Sequence, residues 1–180
     1  MKAEDRAKKI KMILMDVDGT LTDGSLLVFP DGEELKTYDV KDGTGILLAH
    51  LAGIQSGIIT GKRSKALEKR AETLRITELH QGILDKKESL QQILKKQNFQ
   101  KEEVAYIGDD LGDLEVIKEV GLAGAVGDAH HAIKKHSHFV CSQPGGKGAV
   151  REFIEFIITS QKLWPEIKKR YFEFLERRKG

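Results

Sequence analysis

Ile10-Lys11-Met12-Ile13-Leu14-Met15-Asp16-Val17-Asp18-Gly19-Thr20 is an apolar run that stops on two aspartates and a glycine. A run this short and this apolar reads as a buried strand, and its stop marks where the chain leaves the sheet. In an open parallel sheet, ligands bind outside the carboxyl ends of the strands. Two carboxylates delivered there suit phosphate chemistry, one as nucleophile and one as proton donor, and Gly19 lets the chain turn away abruptly. Taken alone, Asp18-Gly19 is equally an ordinary turn after a core strand.

Two later apolar runs end in the other groups such a site needs. Ile54-Gln55-Ser56-Gly57-Ile58-Ile59 ends in Thr60-Gly61-Lys62, and Val104-Ala105-Tyr106-Ile107 ends in Gly108-Asp109-Asp110-Leu111-Gly112-Asp113. Between them, Gly82-Ile83-Leu84-Asp85-Lys86 is a loop whose lysine opens a helical stretch. Strands expected at about 10–15, 54–59, 76–80, 103–107 and 122–126 alternate with helices at about 44–52, 64–74, 86–97 and 111–120. That alternation is the βαβ pattern of a parallel α/β sheet flanked by helices. In the helix from Ser64 to Leu74, Ala66, Leu67, Arg70, Ala71 and Leu74 form the inward stripe, which Arg70 interrupts, either snorkelling or pointing to the strand ends as a ligand.

Ser25 to Tyr38 breaks the alternation. It reads as a β-hairpin with its turn at Pro30-Asp31-Gly32. A two-stranded hairpin is marginal alone, so exposed Leu26, Val28 and Phe29 need cover, and another subunit is the obvious source. Near the end, Gly145-Gly146-Lys147-Gly148-Ala149-Val150-Arg151-Glu152 opens a helix, and a helical tail over about 162–180 places Leu163, Trp164, Ile167, Tyr171, Phe174 and Leu175 at spacings of three and four as packing residues. The basic tail runs Lys168-Lys169-Arg170 and Arg177-Arg178-Lys179 read as a solvated helix face.

The 180 residues, 39% of them hydrophobic, suffice for a single domain over 1–180. Thirty basic and 28 acidic side chains are mixed along most of the chain, which leaves no basic face for nucleic acid. Cys141 is the one cysteine, so no intrachain disulfide forms. The charged Met1 to Lys11 lacks the apolar region of a signal peptide, and no run approaches the ~18 apolar residues of a membrane span. A cytoplasmic protein is expected.

Phosphate monoesters hydrolyse very slowly unaided, so a site must neutralise the phosphoryl charge, hold a nucleophile in line and protonate the departing alkoxide. Asp16 is the candidate nucleophile, and Asp18 the group that protonates the leaving oxygen and then deprotonates water. Thr60 and nearby backbone amides bind phosphoryl oxygens, and Lys86 neutralises them while keeping Asp16 ionised. Asp16, Asp18 and Asp109 form an all-oxygen environment that favours Mg2+ over zinc. Asp113, one helical turn beyond Asp109, orients Lys86; Asp110 has no assigned role. His130, His131, His136, His138 and Cys141 match no standard zinc spacing, and Asp128 to Lys135 reads as a surface helix.

In order and spacing, the segments at Asp16, Thr60, Lys86 and Asp109 resemble the four motifs of the haloacid dehalogenase (HAD) superfamily of phosphotransferases, from about residue 10 to about residue 152. The resemblance implies a HAD-like, Rossmann-like sheet with the hairpin standing where many relatives carry a cap domain. It implies Mg2+ held by the carboxylates of Asp16 and Asp109 and the backbone carbonyl of Asp18. Asp16 to Gly24, Asp39-Val40-Lys41-Asp42-Gly43-Thr44-Gly45-Ile46 and Gly145 to Glu152 are similar to the cap-less branch that serves lipopolysaccharide synthesis. That branch implies a homotetramer whose hairpins meet in a central barrel and whose active sites are finished by a neighbouring subunit. It also implies a substrate pocket lined by Asp18, Asp39, Val40, Lys41, Asp42, Gly43, Lys62, Arg70 and Lys86, to which Lys147 can add charge. The expected substrate is an acidic sugar phosphate, 3-deoxy-D-manno-octulosonate 8-phosphate. Lys41 and Lys62 stand where the branch more often has arginine, and lysine lacks the fork that grips a carboxylate. A nine-carbon keto-deoxy sugar 9-phosphate is therefore the alternative substrate. A HAD-like oligomerisation module related to sialic acid-activating enzymes is a further alternative, against which the intact Asp16, Asp18, Lys86 and Asp109 argue.

Overall fold

The apolar run that opens the site becomes a strand, Met12–Met15, with all four residues buried. In the computed structural model, which describes residues 1–177, it follows a short helix and precedes the hairpin. In chain order the elements are α1 (Ala3–Ala7), β1 (Met12–Met15), β2 (Leu27–Val28), β3 (Glu34–Leu35), α2 (Val40–Leu51), β4 (Gln55–Thr60), α3 (Lys65–Leu74) and β5 (Glu78–Gln81). They continue with α4 (Lys86–Gln97), β6 (Val104–Gly108), α5 (Leu114–Glu119), β7 (Leu122–Ala125), α6 (His131–His136), β8 (Phe139–Val140), α7 (Ala149–Ser160) and α8 (Trp164–Arg177).

Six strands form one parallel sheet in the order β5-β4-β1-β6-β7-β8. The chain winds outward from β1 through β4 to β5, returns, and winds the other way through β6, β7 and β8. Right-handed crossovers then put the helices of the two halves on opposite faces. Accordingly α1, α2 and α7 pack together, and α4, α5 and α6 pack together. Covered on both faces, β1, β6 and β7 are buried along their lengths. The strand order reverses around β1, so a crevice opens where β1 and its neighbours β4 and β6 end. Asp16, Thr60 and Asp109 stand at those three ends.

Several boundaries differ from the sequence reading. Helix α2 starts at Val40 rather than near 44, because the Asp39 carboxylate accepts from the Lys41 amide at 2.6 Å and caps it. Gly43 and Gly45 obscured that start; both lie inside the helix, where a Cβ on Gly45 would come within 2.9 Å of Arg151 Cα in α7. The helix expected over 111–120 divides into a 3-10 turn, Leu111–Asp113, and α5. Ala66, assigned to the inward stripe of α3, is exposed. Strand β8 and helix α1 were not anticipated; each is too short for a hydrophobic period to register.

The hairpin forms as expected, pairing Leu27 with Leu35 and Val28 with Glu34. Its turn closes through Phe29 N donating to Glu33 O at 2.8 Å, with Gly32 at φ 86°. Leu26, Leu27, Val28, Phe29 and Leu35 are all exposed in this chain. Helix α8 lies on α2, buries Ile167, and sends Arg170 Nη1 to Leu51 O at 2.7 Å. Lys168, Lys169 and Arg170 are exposed, as a solvated face requires, whereas Arg178 and Lys179 of the basic tail lie outside the described residues. Among the described residues no helix is long and apolar enough to cross a membrane.

Candidate active site

Asp16 is still tied to the sheet, its amide donating to Ile107 O of β6 at 3.1 Å, and its residue is 8% exposed. From there the chain doubles back, with the amides of Thr20 and Thr22 both donating to Val17 O. Gly19 sits at φ 88°, and a Cβ there would come within 2.1 Å of Asp109 Oδ2. Only glycine lets the β1 loop lie against the carboxylate at the end of β6. The same device recurs at Gly108, where a Cβ would meet Asp113 Oδ2 at 2.2 Å.

Lys86, the first residue of α4, enters this cluster from the side. The Asp85 carboxylate caps α4 by accepting from Glu88 N at 2.9 Å, and Ile83 N donates to Thr60 O at 3.0 Å, tying the lysine's loop to the end of β4. Lys86 Nζ lies 2.8 Å from Asp16 Oδ1, 2.6 Å from Asp113 Oδ1 and 3.3 Å from the Tyr106 hydroxyl. Burial works against the lysine's charge, but Asp16 and Asp113 outweigh it, and its pKa is raised. Burial, with repulsion from Asp113, pushes Asp16 up to about 6 even though Lys86 pulls it down. Asp109 goes to about 7, through burial and then the charges of Asp16 and Asp113, which outweigh the hydrogen bond from the Thr20 hydroxyl 3.1 Å away.

That unbalanced charge tests whether a cation fits. Asp16, Asp109 and Asp113 are the one group of acidic, histidine and cysteine side chains among the described residues close enough to share an ion, with oxygens within 4.8 Å of one another. Three carboxylates against one ammonium leave two negative charges, which a divalent ion balances. Oxygen donors without nitrogen or sulfur suit Mg2+. Asp16 and Asp109 could offer it carboxylate oxygens. Asp113 is already saturated: Oδ1 accepts from Lys86 and Tyr106, and Oδ2 from the amides of Asp109 at 3.0 Å and Asp110 at 3.3 Å. Asp110 caps the 3-10 turn by accepting from Leu111 N at 2.7 Å.

Thr60 is buried at the end of β4, beside β1. Asp18 forms an ion pair with Lys36, whose side chain is 2% exposed. Lys36 was missed in the sequence; its only signal is that the returning hairpin strand carries a lysine back toward the β1 loop. Lys147 Nζ stands 3.7 Å from Asp23 Oδ2. The glycine loop before it presses on the β1 loop of the same chain, Gly146 N donating to Thr20 O at 2.9 Å, rather than reaching only toward a neighbour.

The other residues assigned to the substrate pocket divide between buried and accessible positions. Asp42 is 1% exposed and turned into the protein, where its carboxylate caps α7 by accepting from Arg151 N at 2.8 Å. A substrate cannot reach it. Burial raises it to about 6, against the backbone amides at the start of α7. Gly43 is likewise buried, facing Arg70 and Leu74. Val40, Lys41 and Lys62 are exposed. Arg70 Nη2 donates to Asp39 O at 3.3 Å, its guanidinium lies 5.6 Å from the Tyr38 ring, and it lines a groove of about 600 Å³ between α2, α3 and α8. The histidines do not assemble a metal site: His138 Nδ1 accepts from Ala123 N, the His130 and His131 rings lie 4.2 Å apart and tilted, and the Cys141 thiol points to Ala149 O.

With this geometry in view, a family model described as haloacid dehalogenase-like hydrolase matches residues 74–154. The 3-deoxy-D-manno-octulosonate 8-phosphate phosphatase of Yersinia pestis is 46% identical over 156 residues, 87% of this chain and 83% of the relative. Its counterpart in Escherichia coli K12 is 41% identical over 163 residues, 91% of this chain and 87% of the relative. Among solved structures, the phosphatase of that name from Moraxella catarrhalis, crystallised with magnesium, phosphate and KDO, superimposes with a TM-score of 0.90 at 36% identity, covering 94% of this chain and 97% of that one. The Yersinia pestis enzyme gives 0.87 at 44% identity, covering 89% and 86%.

Proposed function

This chain belongs to the 3-deoxy-D-manno-octulosonate 8-phosphate phosphatase family of haloacid dehalogenase-like hydrolases, and from that premise we propose that it hydrolyses this acidic sugar phosphate with Mg2+. The observation that carries the reading at this site is Lys86 Nζ lying 2.8 Å from Asp16 Oδ1, with an Asp109 carboxylate oxygen within 4.8 Å of one of Asp16. Lys86 keeps Asp16 ionised, although burial raises its pKa to about 6. A carboxylate so held is a nucleophile at neutral pH.

Asp16 attacks phosphorus; the new carboxyl O–P bond forms as the sugar O–P bond breaks, and the departing oxygen takes a proton from Asp18. Asp18 then removes a proton from the water that attacks the aspartyl-phosphate, and phosphate leaves Asp16 free. The Asp16 and Asp109 carboxylates and the Asp18 backbone carbonyl would hold Mg2+, which would supply positive charge against the phosphoryl oxygens. Thr60 and the amides of the β1 loop hold phosphoryl oxygens. Asp18 pairs with Lys36 in the structure, and the anionic groups of the substrate can compete for that lysine and release Asp18. The sugar itself is met by Lys41, Lys62, Arg70 and Lys147, with Asp42 holding the scaffold rather than the ligand. The whole chain acts as one domain, in the cytoplasm, as a homotetramer whose exposed hairpins cover one another. The family's named members give no support to the nine-carbon alternative.

The test is phosphate release from a panel of sugar phosphates with Mg2+, ranked by kcat/KM, beside Asp16→Asn. 3-Deoxy-D-manno-octulosonate 8-phosphate should rank first, and Asp16→Asn should lose turnover with its fold intact, because an amide is too poor a nucleophile. Near-normal release by metal-loaded Asp16→Asn would sink the assignment.

A further inference from the structure

Tyr106 lies in the middle of β6, paired in register with Leu14, and is fully buried. By size it is a core residue. Its hydroxyl, however, donates to Asp113 Oδ1 at 2.6 Å and stands 3.3 Å from Lys86 Nζ. A phenol has one proton to give and oxygen lone pairs to offer, so the single O–H goes to Asp113 and the oxygen accepts from the lysine. The three N–H bonds of Lys86 are thereby all used, on Asp16, Asp113 and Tyr106. All four acceptor positions of Asp113 are used as well, two on each oxygen. Yet the Asp113 carboxylate is close enough to Asp16 and Asp109 to share an ion with them. Proximity alone does not keep it from the cation; its occupied lone pairs do.

We propose that Tyr106 is a positioning residue of this site: its hydroxyl keeps Asp113 locked onto Lys86 and withheld from the cation, so that Lys86 stays against Asp16. The inference rests on the phosphatase reading above. Without the hydroxyl, Asp113 Oδ1 regains a lone pair and more of its charge on the side facing the cation. Lys86 loses its third partner, and Asp113 is drawn toward the metal. Asp16 is left less firmly held for attack while the cation is gripped by one more carboxylate. Metal affinity and turnover therefore move in opposite directions, whereas a merely structural loosening would weaken both.

The experiment compares wild type with Tyr106→Phe, which removes one atom. Calorimetric titration of Mg2+ into phosphate-free protein should show binding about threefold tighter or more in the variant, as an added carboxylate near a divalent ion requires. Phosphate release should show kcat lower by roughly tenfold, the effect of one hydrogen bond to a charged group, with KM nearly unchanged. In an Asp113→Asn background, Tyr106→Phe should no longer tighten the metal. Unchanged or weakened Mg2+ affinity in Tyr106→Phe overturns the proposal, as does an unaltered kcat. A wild type that releases no phosphate would defeat the phosphatase reading, and the titration would still decide the role of Tyr106. If Tyr106→Phe fails to fold, the wild-type protein decides by NMR. Its buried, hydrogen-bonded tyrosine hydroxyl proton should persist when Mg2+ saturates the site, and its disappearance on adding Mg2+ would overturn the proposal.

Discussion

Asp42 joins two helices through one buried carboxylate, and its charge opposes the fold that it holds together. Its folded pKa, raised to about 6 by burial, lies above the unfolded value of 3.8. Between those values the folded state binds the extra proton, so stability falls as pH rises. The contribution is fully present below the unfolded pKa and gone above the folded one. Asp16 and Asp109 are raised for the same first reason, so the useful quantity is the difference between wild type and Asp42→Asn. Urea unfolding of metal-free protein should show the wild type losing on the order of 2 to 3 kcal/mol relative to the variant between pH 4 and 7. Parallel curves would show that Asp42 is not the group responsible. The family resemblance placed Asp42 in the substrate pocket together with the rest of Asp39 to Gly43. A linear pattern cannot tell which face of α2 a carboxylate leaves from when α7 supplies its partners from 109 positions away.

At the scale of elements, two glycines of α2 invite opposite outcomes, Gly45 against α7 and Gly43 against α3. A Cβ on Gly45 would meet Arg151 Cα at 2.9 Å and Cδ at 3.0 Å, so backbone must move. Alanine gains about 1 kcal/mol of helix propensity, but overpacking costs about 1 to 3 kcal/mol, and the backbone contact puts Gly45→Ala toward the costly end. A net loss of about 1 to 2 kcal/mol is expected from denaturant midpoints. At Gly43 the nearest atom is Arg70 Nη2 at 2.6 Å, the far end of a flexible chain. Gly43→Ala should therefore leave stability nearly unchanged while displacing Arg70, which kcat/KM on the sugar phosphate would register and Tm would not. A Gly45→Ala protein as stable as wild type would show that the contact with α7 yields.

For the whole molecule, the exposed hairpin is the feature that one chain does not explain. Leu26, Leu27, Val28, Phe29 and Leu35 are all exposed on a ribbon of two-residue strands. Each large side chain covered by another copy contributes roughly 1.5 to 3 kcal/mol at most, enough together to hold subunits in a tetramer. Lys36 follows that hairpin and reaches Asp18, so the hairpin and the candidate proton donor are mechanically linked. Replacing Val28 and Phe29 with Asp should dissociate the protein in sedimentation and lower kcat/KM for the sugar phosphate far more than for a small aryl phosphate. A monomeric wild type with full sugar-phosphate activity would rule this out.

Local sequence was enough for the alternation of the longer strands and helices, for the hairpin, and for the placement of Asp16, Thr60, Lys86 and Asp109 at the ends of elements. Those features are written locally, in apolar runs that stop on polar residues and in glycines that permit the turn. Only the tertiary structure decided that Tyr106 bonds Lys86 and Asp113, that Lys36 faces Asp18, that Asp42 points inward, and that Arg70 lines a groove beside α2. Each of these rests on residues brought together from distant parts of the chain, and a local pattern carries no information about which distant group will satisfy a buried charge. Burial then forces that choice, because a carboxylate or ammonium taken out of water must find a partner in the fold.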